Sequence, residues 1–319
     1  MTTVTTAQRL GRLQKARRWA GGFKKPETWA AYAFLLPWLI GFVIFTSGPM
    51  VASFVLSLTD YSIIEKTNYV GGENYRELLD DPRVATALKN TFIFTVMMVP
   101  ATMIVALALA MILARIATFA GFFRTVFYLP QVTPPVAVGI LFLMLFNGNY
   151  GLVNRGLEAI GLPGPFWTTD PSWIKPGLVL MSVWSVGGTM VIYLAALKSV
   201  PQHLYEAAAV DGAPAWRRFK DVTLPMISPS LFFTFIILTI AGLTSFTEAY
   251  TAFFGASTES NQTEAALFYA IHLFREAFQS FHMGYASAMA WVLFVIIMVI
   301  TFIQVKVGNR FVFYMGERR

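Results

Sequence analysis

The sequence predicts an all-α polytopic membrane protein with six transmembrane helices. Three observations lead there. Of the 319 residues, 56% are hydrophobic and only 13% are charged. The apolar residues fall in long blocks, and lysine and arginine gather in alternate connections between those blocks. A soluble domain carries about a quarter charged residues. A helix needs about 20 mainly apolar residues to cross the hydrocarbon core, and six blocks reach that length. The chain has no cysteine, which excludes disulfides, thiolate metal sites and cysteine nucleophiles.

The elements follow in order. Residues 1–28 form a polar, basic tail without an apolar core, so they read as neither a span nor a cleavable signal peptide. Arg9, Arg12, Lys15, Arg17 and Arg18 alternate with Leu10, Leu13 and Trp19. This suits either a basic amphipathic helix on the bilayer or a solvated tail, and both readings stand. The membrane domain, 29–309, has its first span at about 29–58, interrupted by Pro37 and Gly48-Pro49. The second lies at about 88–113 with Pro100 inside, and the third at about 122–146 with Pro130, Pro134 and Pro135. The fourth lies at about 174–197 around Gly187-Gly188, the fifth at about 229–254 and the sixth at about 283–307. Proline and glycine are tolerated inside spans where neighbouring helices satisfy the freed backbone groups. Between the last two spans, 263–280 predicts an amphipathic external helix with Leu267, Phe268, Ile271, Phe274 and Phe278 on one side. Residues 310–319 form a C-terminal tail.

Orientation follows from the basic residues. With the N-terminus in the cytoplasm, 17 lysines and arginines fall on the inner side and 7 on the outer side. Both termini and the loop 198–228 are then cytoplasmic. The same asymmetry accounts for the net charge of +7 without a nucleic-acid partner.

That loop is a polar island. Pro201 suits a helix start, Glu206 to Val210 continue as a helix with a small surface at Ala207 and Ala208, and Asp211-Gly212 ends it. Pro214 opens a second helix through Trp216, Arg217 and Arg218, and Leu224-Pro225 is expected to stop it and turn the chain into the fifth span. The alanine surface fits a close groove on a partner, where Glu206 can meet a basic residue. The plainer reading is a cytoplasmic loop without a partner.

The island runs Glu206-Ala207-Ala208, three residues, Gly212, nine residues, Val222, one residue, Leu224-Pro225. It resembles the EAA loop of permease subunits of binding-protein-dependent ABC importers, with valine in place of the commoner isoleucine. Leu36-Pro37, Pro49, Gly72-Glu73-Asn74-Tyr75, Asp81-Pro82, Ala87-Leu88-Lys89-Asn90-Thr91 and Gly284-Tyr285-Ala286-Ser287-Ala288 resemble the carbohydrate branch of that family, which includes the maltose and glycerol-phosphate permeases. The resemblance implies a type I importer permease in a bacterial or archaeal inner membrane. It implies a pore formed with a second permease subunit, usually a different chain, above two copies of an ATPase subunit that bind ATP and Mg. An extracytoplasmic solute-binding protein delivers the sugar. Glu206, Ala207, Ala208, Asp211, Gly212, Leu224 and Pro225 are the implied ATPase-coupling residues. The chain has no Gly-x-x-x-x-Gly-Lys-Ser/Thr phosphate loop, so no catalytic residue and no cofactor of its own are expected. One departure stands out: the branch's Phe-Asp-x-Ile-Tyr and Thr-Gly-Gly-Gly-Pro segments are here Phe246-Thr247-Glu248-Ala249-Tyr250 and Phe253-Phe254-Gly255-Ala256-Ser257.

Polar groups inside spans mark a pathway because they are costly there. Thr244, Ser245, Thr247 and Glu248 cluster late in the fifth span, and a continuous helix would put Thr244, Thr247 and Glu248 on one face. Trp184, Ser185 and Gly188 form a second candidate face, and the resemblance to the maltose permease implies matching positions in both spans. Alternatively, the hydroxyls bond their own backbone and Glu248 reaches the outer interface. His203, His272 and His282 have no metal-ligand spacing, so no metal site is expected. Asp80-Asp81-Pro82 reads as a loop turn, and Asn261-Gln262-Thr263 is a sequon without weight in a prokaryote. Three other functions compete: a permease for a non-sugar solute, a stand-alone secondary transporter and an intramembrane enzyme. Glu248 is the sole carboxylate placed within a span, which disfavours a proton-coupled transporter. No His/Asp/Glu cluster or Ser/His pair lies within the spans to support an enzyme.

Overall fold

The computed structural model describes residues 26–62, 67–116, 119–255, 264–308 and 312. The amphipathic tail expected before Trp29, the sequon at 261–263 and, apart from Val312, the C-terminal tail lie outside the described residues.

The first span joins α1 (Pro26–Phe42) to α2 (Gly48–Leu56) through a π turn at Val43–Ser47, while Pro37 sits inside an unbroken α1. A short α3 (Glu73–Asp80) leads to α4 (Pro82–Arg115), the second span. Asp81 caps α4 by accepting the Arg83 N–H at 2.7 Å, and Pro82 fits the first turn, which needs no donor. The third span is α5 (Ala120–Tyr128), a 3-10 turn at Leu129–Val132, and α6 (Pro135–Leu145). After α7 (Leu152–Ala159), the fourth span is α8 (Pro171–Trp184) and α9 (Gly187–Ser199). The island holds α10 (Gln202–Val210) and α11 (Ala215–Arg218). A π turn at Phe219–Thr223 joins α11 to α12 (Leu224–Leu243), and α13 (Thr247–Tyr250) follows. A 3-10 turn at Glu264–Ala266 precedes α14 (Tyr269–Phe278), and α15 (Met283–Gly308) is the last span.

Among the described residues, four helices are long and apolar enough to cross a membrane, and the number is six if each of the two bent pairs is one span. The third span is bent by 97° and the fourth by 52°, so neither is the simple rod its block suggests. Another expectation is corrected: Leu224-Pro225 does not stop the second island helix. Helical backbone runs from Ala215 to Leu243 because the π turn lets the Leu224 N–H bond the Phe219 carbonyl, five residues back. The wider turn makes room for Pro225, which would crowd the carbonyl four residues before it in a regular helix.

The core follows α4. Its buried face carries small or hydroxyl residues, among them Ala87, Thr91, Thr95, Thr102, Ala106 and Ala110. Thr91 and Thr95 return their hydroxyls to carbonyls four residues back, at 2.8 and 2.7 Å. Thr91 also accepts the Tyr269 N–H at 2.9 Å, and Asn90 donates to the carbonyls of Glu264 and Leu267 at 2.6 and 3.1 Å. One apolar cluster surrounds the Asp81 end of α4, and a second, around Met190, Tyr193 and Leu194, surrounds the opposite end near Arg115.

Replacing Asn90 with leucine removes both donors: the buried Leu267 carbonyl loses its Asn90 donor, while that of Glu264 keeps the Leu267 N–H at 3.2 Å. The expected cost is about 1–3 kcal/mol for each group that finds no new partner. Asn90→Leu should insert normally but unfold several degrees lower in detergent. An unchanged midpoint would show that these bonds do not hold the 264–268 turn to α4.

Candidate coupling and translocation sites

Helix α10 ends in a Schellman cap. The Ala213 N–H bonds the Ala208 carbonyl at 2.9 Å, and the Gly212 N–H bonds that of Ala209 at 3.0 Å. Gly212 sits between them at φ +69°, left-handed geometry that strains any residue with a Cβ. The helix has two faces. Leu204, Tyr205 and Ala208 are partly covered, whereas His203, Glu206, Ala207 and Val210 are exposed. Tyr205 anchors the covered face: its hydroxyl lies 2.9 Å from that of Thr223 in the π turn. Asp211 is the C-cap, Leu224 follows the π turn and Pro225 lies in the first turn of α12. The hairpin therefore presents Glu206 and Ala207 outward from a fixed base.

The two candidate pathway groups both fall at breaks. Trp184 ends α8, Ser185 occupies the bend and Gly188 lies in the first turn of α9. Thr244 ends α12, Ser245 and Phe246 are not helical, and Thr247 and Glu248 open α13. Thr244, Thr247 and Glu248 therefore do not share a face of one continuous helix. Phe246 (φ −141°, ψ −66°) resets the direction between them. The Thr244 hydroxyl bonds the Ile240 carbonyl at 2.8 Å, as the self-bonding alternative expects. Glu248 is half-buried and has no ion pair or hydrogen bond among the described residues. No hydrogen bond or ring contact joins the two groups among those residues. The sequence reading missed an aromatic ladder beside Glu248. Phe246 stacks on Tyr250 at 5.0 Å, Tyr250 on Phe254 at 6.3 Å, and Phe274 packs on the first two. Its signal was the four-residue spacing of 246, 250 and 254.

At the other end of α4, residues read as a turn and as scattered histidines come together. Buried His272 places Nε2 3.4 Å from an Asp81 oxygen and Nδ1 3.8 Å from Glu276. His282 Nδ1 lies 3.1 Å from Glu276, and the Tyr285 hydroxyl donates to Asp81 at 3.0 Å. Burial pulls the Asp81 carboxyl upward, but the hydrogen bonds from the Arg83 N–H, Tyr285 and His272 outweigh it and hold the group below the usual value. Of the expected amphipathic helix, Leu267, Phe268 and Ile271 are buried, but Phe278 is 57% exposed. Among the described residues, no group of three His, Cys, Asp or Glu is placed to hold a metal ion.

A family model described as the binding-protein-dependent transport system inner membrane component matches residues 103–312. The chain belongs to this family. It is 39% identical to the probable ABC transporter permease protein YesP of Bacillus subtilis, over 91% of this chain and 94% of that one. It is 37% identical to the lactose transport system permease protein LacF of Rhizobium radiobacter, over 86% and 92%. A crystal structure of a bacterial alginate ABC transporter, in complex with an alginate pentasaccharide-bound periplasmic protein, contains a chain of the same fold. The TM-score is 0.77 at 25% identity, covering 89% of this chain and 95% of that one. The protein is thus a multi-pass permease subunit of the inner membrane, with the importer permease fold that the EAA resemblance implied.

Because the folded-state pKa of Asp81 lies below the unfolded value of about 4, its contribution to stability is complete above that value and fades as pH falls through the lowered one. Between about pH 6 and pH 3, the permease should therefore lose thermal stability more steeply than its Asp81→Asn variant. Parallel melting curves would show that the Asp81 contacts add nothing to the folded state.

Proposed function

We propose that this permease subunit conducts a sugar or sugar derivative, received from an extracytoplasmic binding protein and driven by ATP hydrolysis in a partner. The observation that carries this is the two-faced α10 hairpin: Tyr205 fixes one side, and the other presents Glu206 and Ala207 with no covering element among the described residues. Relatives named for lactose and arabinooligosaccharide transport support the substrate class. The Gly212 end faces the cytoplasm with both termini, as the basic residues require. Each of two ATPase subunits, with bound ATP and Mg, receives one such hairpin. The second hairpin belongs to a second permease subunit that completes the pore.

Force then has a defined route. Helical backbone from Ala215 to Leu243 spans 29 residues, or about 43 Å. A push on the hairpin moves the far end of that rod, where Thr244–Phe246 break the helix. Glu248 and the Phe246–Tyr250–Phe254 ladder lie just beyond, so ATPase closure changes their exposure to the pathway. Trp184 and Ser185, at the bend of the fourth span, are the second set of pathway residues.

A Cβ at Gly212 adds about 1–2 kcal/mol of backbone strain, and aspartate also places a charge on the docking surface. Gly212→Asp should cut uptake at least tenfold and abolish ATPase co-purification, while the chain still reaches the membrane. Retained ATPase with full uptake would remove the coupling role from this hairpin. Glu248→Ala should change affinity or substrate range across a panel of sugars with assembly intact. An unchanged uptake profile would return Glu248 to the role of an interfacial carboxylate.

A further inference from the structure

Behind the hairpin lies a cavity of about 630 Å³ between the ends of three spans. Met111, Ala114 and Arg115 line it from the last turn of α4, and Leu197 from the end of α9. Tyr205, Trp216, Arg218 and Phe219 complete most of the wall from the hairpin and the π turn. The lining contains two arginines and no acidic residue. The guanidinium groups of exposed Arg115 and half-buried Arg218 have no ion pair or hydrogen bond among the described residues. Two free guanidinium groups over an apolar floor select an anion with a hydrocarbon continuation. Trp216 is 70% exposed and packs on Phe219 at 5.7 Å, the amphipathic pairing suited to headgroup depth.

We propose that this cavity binds the phosphodiester headgroup of an anionic phospholipid from the inner leaflet. Arg115 and Arg218 hold the phosphate, a task that suits the guanidinium fork. The glycerol and first methylenes lie against Met111 and Leu197. Basic pockets between span ends at the cytoplasmic surface are suited to such lipids. The site is separate from the docking surface, because Tyr205 faces the cavity and Ala207, two residues on, points to the opposite side of α10. A lipid seated here wedges the hairpin against the end of α4 and makes ATPase coupling sensitive to membrane charge. The inference rests on the orientation proposed above.

The test uses the full chain, co-expressed with its native partners, in phosphatidylcholine bilayers containing a minor fraction of phosphatidylglycerol. Lipids retained after extraction are counted by native mass spectrometry. The wild type should keep phosphatidylglycerol about tenfold over phosphatidylcholine, the scale expected for charge-assisted contacts. Arg115→Gln combined with Arg218→Gln should erase that preference, and so should Ala114→Trp, which fills the cavity without removing charge. Lys220→Gln, outside the lining, should leave it unchanged. Equal retention in wild type and variants would overturn the proposal. So would displacement of the bound species by inorganic phosphate, or capture of a protein segment by a photocrosslinker at Ala114. ATPase co-purification from the same preparations reads the importer proposal separately. Retained ATPase with no lipid preference in the wild type would defeat this inference alone.

Discussion

The fourth span, α12 and the 264–268 turn are hung on one face of α4. In a bilayer, apolar side chains gain nothing by leaving lipid for another helix, so association depends on close backbone approach and on hydrogen bonds. Ala87, Thr91 and Thr95, then Thr102, Ala106 and Ala110, stand four residues apart and give the buried face of α4 two small-residue stretches, with Met98 and Val99 between them. Gly242 shows how near α12 comes: a Cβ there would lie 2.8 Å from the Thr95 hydroxyl. Both halves of the fourth span, α12 and the 264–268 turn pack on the same helix. The first span does not share this core. It meets α15, with Phe54 edge-on to Trp291 at 5.2 Å, and none of α2 is buried.

The division between what the sequence revealed and what it hid follows from the range of each interaction. Spans were legible because a bilayer forces backbone bonds to be satisfied within the helix, which leaves an apolar block about 20 residues long. Gly212 was legible because few residues accept left-handed geometry. Bends were not. Pro100, Pro176 and Pro229 all lie inside continuous helices, whereas the break at Thr244–Phe246 contains neither proline nor glycine. Proline removes a donor, but packing sets the angle, and α13 is held by α6 crossing so closely that a Cβ at Gly139 would lie 3.0 Å from the Glu248 carbonyl. Asp81 and His272 were also out of reach, being 191 residues apart. The motif residues that carried the family resemblance have local reasons. Asn74 bonds the carbonyls of Ser57 and Thr59, each at 2.8 Å, and a Cβ at Gly284 would lie 2.0 Å from that of Thr59.

On the proposed mechanism, stiffness and breakage fall where a transporter needs them. A rod transmits displacement only if no joint lies between its ends, and the π turn at 219–223 keeps Pro225 from becoming one. The joint comes instead at Thr244–Phe246, against the aromatic ladder. On the fourth span the joint falls at Ser185-Val186, where Val186 is buried in the second cluster, the one near Arg115. Both halves of the fourth span pack on α4, whereas beyond the Thr244–Phe246 break α13 packs on α6.

The two ends of the molecule solve the problem of charge differently. At the Asp81 end, carboxylates and histidines face one another within the chain, and Asp81 also takes a tyrosine hydroxyl and a backbone N–H. At the Gly212 end, Arg115, Arg124, Lys198, Arg217, Arg218, Lys220 and Lys306 have no ion pair among the described residues. The Arg124 Nε is even buried without a hydrogen bond there. A cation exposed to bulk water needs no partner, but one lining a cavity or half-covered by a span pays for its lost hydration unless a counter-charge arrives. Within the chain, the acids at that end, Glu206, Asp211 and Asp221, are exposed. On the proposal above, the counter-charge for half-buried Arg218 comes from a phospholipid headgroup, which exposed Arg115, lining the same cavity, also meets.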